Sequence, residues 1–87
     1  MANDKPTDTL RDGRLKATIW KNAGESGNFY TVTFTRSYQD AAGDWKDSES
    51  FSGAELLRIA HLATRAYDRT NALRQSDRVE LENGKAV

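Results

Sequence analysis

The side chains with chemical potential in this 87-residue sequence are few and badly placed for catalysis. His61 is the single histidine, and as a base or metal ligand it needs a carboxylate within hydrogen-bond reach. Glu55 precedes it by six positions and Asp68 follows by seven. On a helix Asp68 therefore shares its face but lies about 10 Å along the axis. Metal sites of useful affinity take about three or four protein ligands, so a solvated surface histidine is the expectation. The absence of cysteine excludes disulfides, thiolate nucleophiles and thiolate metal sites. Asp40, Asp44, Asp47 and Glu49 cluster without the alternating oxygen ligands and closing Glu of a calcium loop. Gly24 and Gly27 lack the following Lys and hydroxyl of a phosphate loop. These groups imply no catalytic centre, no metal and no cofactor.

A different chemistry is available where aromatic, basic and hydroxyl side chains alternate with apolar ones. Lys16, Thr18 and Trp20 interleave with Leu15, Ala17 and Ile19, while Thr31, Thr33 and Thr35 interleave with Tyr30, Val32 and Phe34. If both segments are strands, Lys16, Thr18, Trp20 and the three threonines share the face turned away from the core, with Phe29 at its rim. Bases stack on such rings while Lys and Thr reach phosphates, the logic of single-strand nucleic-acid surfaces. The same aromatics equally suit a second layer or a dimer interface. Arg36 and Tyr38 continue the parity of Phe34 past the apolar stretch, and Lys21 and Lys46 join them at the end of the sheet.

The elements that must position these groups can be read from period and punctuation. Residues 1–13 carry one large apolar residue, Leu10, and are expected to be a flexible arm. Leu15 onward is a half-buried strand. Asn22, Gly24, Ser26, Gly27 and Asn28 form a hairpin loop of several residues. Phe29–Tyr38 is the clearest strand, rich in β-branched and aromatic residues. A turn over Asp40–Asp44 leads to a strand over Trp45–Phe51, with Trp45 and Phe51 at even spacing.

The helix start is signalled fully. Ser52 is an N-cap, Glu55 closes a capping box, and Phe51 can staple onto Leu56. On a wheel of about 100° per residue, Ile59, Ala60, Ala63 and Tyr67 fall near Leu56 and define the core stripe. Arg58, His61 and Arg65 take the solvated side. Leu57 and Leu62 flank the stripe and widen the apolar arc to about 200°, more than one sheet covers, which implies a homodimer using Leu57 and Leu62. Residues 70–87 read as a polar, frayed tail. The fold class is thus α+β, an antiparallel meander of three or four strands followed by one C-terminal amphipathic helix. Residues 14–69 form the single domain.

Thirteen Lys plus Arg balance thirteen Asp plus Glu, so net charge gives no long-range attraction to a polyanion. Met1–Arg14 holds no apolar run fit for a signal peptide or a membrane span, and the expectation is a cytoplasmic protein with no membrane partner.

The segment Arg36-Ser37-Tyr38-Gln39-Asp40-Ala41-Ala42-Gly43-Asp44-Trp45-Lys46, followed by Phe51-Ser52 and a helix, resembles the transcriptional positive-cofactor, whirly-like family of single-stranded-DNA-binding proteins. The resemblance covers roughly residues 14–69. It implies a four-stranded antiparallel sheet plus helix, a dimer formed through helices and sheet edges, and single strands lying across the sheets. Arg36, Tyr38 and Lys46 would be phosphate or base contacts, with Lys16, Trp20 and Lys21 added from parity and position. The family's Lys-Gly-Ile-x-Leu strand ending reads Glu49-Ser50-Phe51-Ser52-Gly53 here, with an acidic residue in place of lysine. The expected function is a dimeric binder of single-stranded DNA or RNA. The alternative is a protein-interaction or regulatory module in which the exposed aromatics and Leu57 or Leu62 dock a protein.

Overall fold

The computed structural model describes residues 5–86, with the backbone alone from residue 80 onward. Its elements are β1 (Asp8–Asp12), β2 (Leu15–Gly24), β3 (Gly27–Gln39), β4 (Trp45–Ser48) and α1 (Gly53–Ala86). The strands form one antiparallel sheet in chain order, β1-β2-β3-β4, and α1 lies across β1, β2 and β3 on one face only. The α+β meander expected from the sequence is therefore present, in its four-stranded form.

Alternation builds the buried layer. Leu15, Ala17 and Ile19 of β2 are at most 1% exposed, and their β3 partners Arg36, Phe34 and Val32 point to the same side. Against them α1 sets Leu62 and Ala66, 1% and 2% exposed, with Ile59, Phe51 and Leu10 packed around the cluster. The two small residues Ala17 and Ala66 let helix and sheet approach closely while Leu62 fills the gap.

The helix start follows its signals in part. The Ser52 backbone N–H donates to the Glu55 carboxylate at 2.8 Å, one arm of the capping box. Phe51 packs on the core rather than stapling a covered Leu56, which is 56% exposed.

Four sequence expectations are corrected. The segment Asp8–Asp12, expected within a flexible arm, is strand β1 and pairs with Leu15–Ile19. Leu10 joins the core, and Arg69 and Arg58 of the helix hold Asp8 and Asp12 at 2.7 and 2.8 Å. Residues 1–4 lie outside the described part.

The several-residue hairpin loop is instead a two-residue turn, Glu25 and Ser26, between paired Gly24 and Gly27. Among the described residues none other than glycine has positive φ, so Gly27, at φ +123°, supplies the reversal.

The helical stripe facing the sheet is Ile59, Leu62, Ala66 and Leu73, with Leu56, Ala60 and Tyr67 exposed. That is a rotation of about 80° from the Leu56-centred stripe. Its reason is continuity: 59, 62, 66 and 73 keep the three-, four- and seven-residue spacing along the whole contact, whereas the other stripe ends at Tyr67. The rotation also brings Arg58 and Arg69 onto β1, so Arg58 is not on a face opposite the sheet. Leu62, assigned to a dimer interface, is in this chain's own core.

Finally, the helix does not decay at residue 69 but runs to Ala86. Half-buried Leu73 continues the stripe, and Asp77 accepts a hydrogen bond from the Tyr30 hydroxyl at 2.6 Å.

Candidate functional site

The face of the sheet away from α1 is open. By register it carries Thr9 and Arg11 from β1, Lys16, Thr18, Trp20 and Asn22 from β2, Phe29, Thr31, Thr33, Thr35 and Ser37 from β3, and Trp45 and Asp47 from β4. No element of the chain covers it among the described residues. Arg14, in the β1–β2 turn, reaches the same side, with its guanidinium 5.6 Å from the Trp45 ring centre.

Each aromatic is fixed by its neighbours. The Trp20 indole N–H donates to the Thr33 hydroxyl at 2.8 Å, which lays the ring along the sheet and helps shield Thr18, 9% exposed. Phe29 is 51% and Trp45 60% exposed, with one side of Trp45 held by the Arg14 cation. Trp20 stands opposite Thr31 and Trp45 opposite Gln39. At the usual rise per strand residue the two indoles are about 26 Å apart along β3. Between them lie Thr33, Thr35, Ser37 and the Lys16 ammonium.

The electrostatics of this face differ from those of the whole chain. Arg11, Arg14 and Lys16 bring positive charge and Asp47 is the carboxylate among the residues just named. The Lys16 ammonium crosses β3 to reach Asp47 at 3.4 Å, and the Ser37 hydroxyl donates to the other Asp47 oxygen at 3.2 Å. Lys16 pairs directly with Thr35 in the register, and the Thr35 hydroxyl oxygen is buried without a hydrogen-bond partner. Such a group costs stability until something bonds to it. Lys16 and Ser37 are thus two donors converging on one carboxylate, with the unpartnered Thr35 hydroxyl beside them on the same face.

The residues singled out from the sequence do not form one surface. Lys16 and Trp20 are on the open face; Lys21, Arg36, Tyr38 and Lys46 point to the helix side by register. There each cation has a partner: Lys21 with Asp77 at 3.5 Å, Arg36 with Glu55 at 3.5 Å, Lys46 with Asp40 at 3.5 Å. Arg36 also donates to the Ser50 carbonyl at 3.1 Å and stacks 5.7 Å from the Tyr38 ring. Lys21 thus fastens β2 to the distal helix, Arg36 fastens β3 to the helix start, and Lys46 fastens β4 to the turn before it.

The ion pairs that fasten β1 to α1 show in their titration. The Arg69 hydrogen bond holds the Asp8 carboxyl below its usual range, and the Arg58 hydrogen bond does the same to Asp12 and raises Arg58 in return. The Ser52 backbone N–H likewise lowers Glu55. All are scaffold groups, away from the open face.

Trp45, Arg14 and Arg11 were not legible as site residues. Trp45 carries the parity of Gln39 rather than of Phe51, because the strand stops at Ser48 and the chain turns inward before Phe51. Leu57, the remaining dimer candidate, is 83% exposed. His61 is exposed, and among the described residues no group of three or more His, Cys, Asp or Glu stands together to hold a metal. Nor is any described helix long and apolar enough to cross a membrane. Compared with known proteins, the chain matches no family model, no curated protein and no solved structure.

Proposed function

We propose that the protein binds single-stranded nucleic acid across its open sheet face. The observation that carries this reading is the uncovered surface on which Trp20, Trp45 and Phe29 share space with Arg11, Arg14 and Lys16. Bases stack on Trp20 and Phe29 toward the hairpin tip and on the free side of Trp45 at the other end. Arg11, Arg14 and Lys16 meet the intervening phosphates. A phosphate that draws Lys16 from Asp47 also uncovers the Thr35 and Ser37 hydroxyls, so the orphaned oxygen gains a partner on binding. The mode keeps the strand-across-sheet arrangement implied by the family resemblance and moves the contacts. Lys21, Arg36, Tyr38 and Lys46 are scaffold in this reading.

Because net charge is zero, attraction is local, and affinity falls with salt only in proportion to the few phosphates contacted. Stacking has no base-specific donors, so sequence preference is weak. The test is fluorescence anisotropy of a labelled strand of about 20 nucleotides, long enough to span the site sizes usual for such surfaces. Salt-sensitive binding that prefers the single strand to its duplex is the expected result. No binding at low salt overturns the proposal.

A second reading rests on a separate observation. Leu56, Leu57 and Tyr67, 56%, 83% and 67% exposed, line the helix beside its sheet-facing stripe. A second copy of the chain or another protein covers that stripe in this reading, and sedimentation of the wild type against Leu57→Glu distinguishes the two.

A further inference from the structure

A cleft of about 510 Å³ lies on the helix side of the fold, between the β2–β3 hairpin tip and the distal half of α1. Its size falls in the range of small-ligand sites, and apart from Gly27 every lining residue carries a polar or charged side chain. Ser26 and Asn28 come from the hairpin, and Asn71, Arg74, Gln75 and Arg78 come from the helix. Spacings of three, four and seven residues put the four helical side chains on one stripe facing the hairpin.

The charge of the cleft is not balanced. Asp77 also lines it, yet its carboxylate is engaged by the Tyr30 hydroxyl at 2.6 Å and by Lys21 at 3.5 Å. Arg74 and Arg78 have no ion pair among the described residues, unlike Arg36, Arg58 and Arg69. Two like charges one helical turn apart repel. A helix that keeps both beside a concave, donor-rich wall is arranged for an anion between them. Two planar guanidinium forks, two side-chain amides from the helix, the Asn28 amide and the Ser26 hydroxyl suit the several acceptor oxygens of a phosphate group. No aromatic or aliphatic side chain lines the cleft, so it offers nothing to an acyl chain.

We infer that this cleft is an anion site that receives a phosphate group, distinct from the open sheet face. The phosphate belongs either to a small phosphorylated molecule or to the backbone of a nucleic-acid strand continuing around the hairpin tip. Both sources present the same oxygens to Arg74 and Arg78.

The experiment is a pyrophosphate titration followed by amide NMR shifts of the full chain at low salt. Wild type, Arg74→Gln/Arg78→Gln and Arg65→Gln are compared, the last removing a helical cation outside the cleft. Saturable shifts at Asn28, Asn71 and Gln75, weakened about tenfold for each cleft arginine lost, are expected. Arg65→Gln should leave them unchanged. Displacement of pyrophosphate by a single-stranded oligonucleotide assigns the phosphate to a strand, and its failure to displace assigns it to a small molecule. Shifts that never saturate, or that weaken equally in the cleft and Arg65 variants, overturn the inference. No oligonucleotide binding by the wild type with pyrophosphate binding intact leaves this site standing alone, so the two proposals fail separately.

Discussion

Asp47→Asn should tighten binding to single-stranded nucleic acid, although the substitution adds no contact and removes an ion pair. In the free protein the Asp47 carboxylate takes the Lys16 ammonium at 3.4 Å and the Ser37 hydroxyl at 3.2 Å, so it occupies the donors a phosphate would use. At about 4 Å in high dielectric, breaking the Lys16–Asp47 attraction to free the ammonium costs about 1 kcal/mol, close to a fivefold change in affinity. The salt dependence should change with it. With Arg11 and Arg14 alone, the slope of log affinity on log salt is about −1.4 for a single strand, and a fully available Lys16 makes it about −2.1. The assay is anisotropy across salt concentrations for wild type, Asp47→Asn, Lys16→Gln and the double variant. The double variant should lose the whole gain, since Lys16 is its source. Unchanged or weaker binding in Asp47→Asn, or a gain that survives in the double variant, refutes the reasoning.

Leu62→Ala should destabilise the fold by about 2–5 kcal/mol, toward the upper half because neighbouring Ala17 and Ala66 are too short to refill the void. Leu57→Ala should stay within about 0.5 kcal/mol; equal costs in chemical denaturation contradict the helix orientation. Trp45→Ala should weaken single-strand binding by about 1–3 kcal/mol, the worth of one stacked base, with no loss of thermal stability. Asp8, Asp12 and Glu55 have folded-state pKa values below their unfolded values, so the unfolded chain binds more protons in the interval between them. Their stabilisation is complete above the unfolded values and is lost as pH falls below about 4. Thermal melts should fall there, and Asp8→Asn/Asp12→Asn should flatten the decline; an equally steep acid limb in that variant refutes the assignment.

The strongest sequence signals were local ones. Period-two alternation placed Leu15, Ala17 and Ile19 in the core and Lys16 and Trp20 on the open face, and the Ser52 and Glu55 pair marked the helix start. What escaped depends on distant partners. Nothing in Asp-Thr-Leu-Arg-Asp predicts a strand, because the groups that secure it, Arg58 and Arg69, are 46 and 61 residues away from Asp12 and Asp8. The helical rotation was ambiguous for a similar reason: Leu56 and Leu62 lie on different apolar stripes that share Ile59, and Leu73 decides between them only if the helix extends beyond residue 69. That extension rests in turn on the Tyr30 to Asp77 bond, a contact between residues 47 apart. Trp45 and Arg14 escape because one begins a strand shorter than its alternation suggested and the other sits in a turn, where parity does not apply.

The central claim is that a single strand lies across the open face, and amide and indole NMR during titration with an unlabelled oligonucleotide tests it most directly. Shifts are expected at the Trp20 and Trp45 indole N–H groups and at Thr31, Thr33 and Thr35, with Leu57, His61 and Tyr67 unmoved. Shifts confined to the helix, or none at the two indoles, would contradict it.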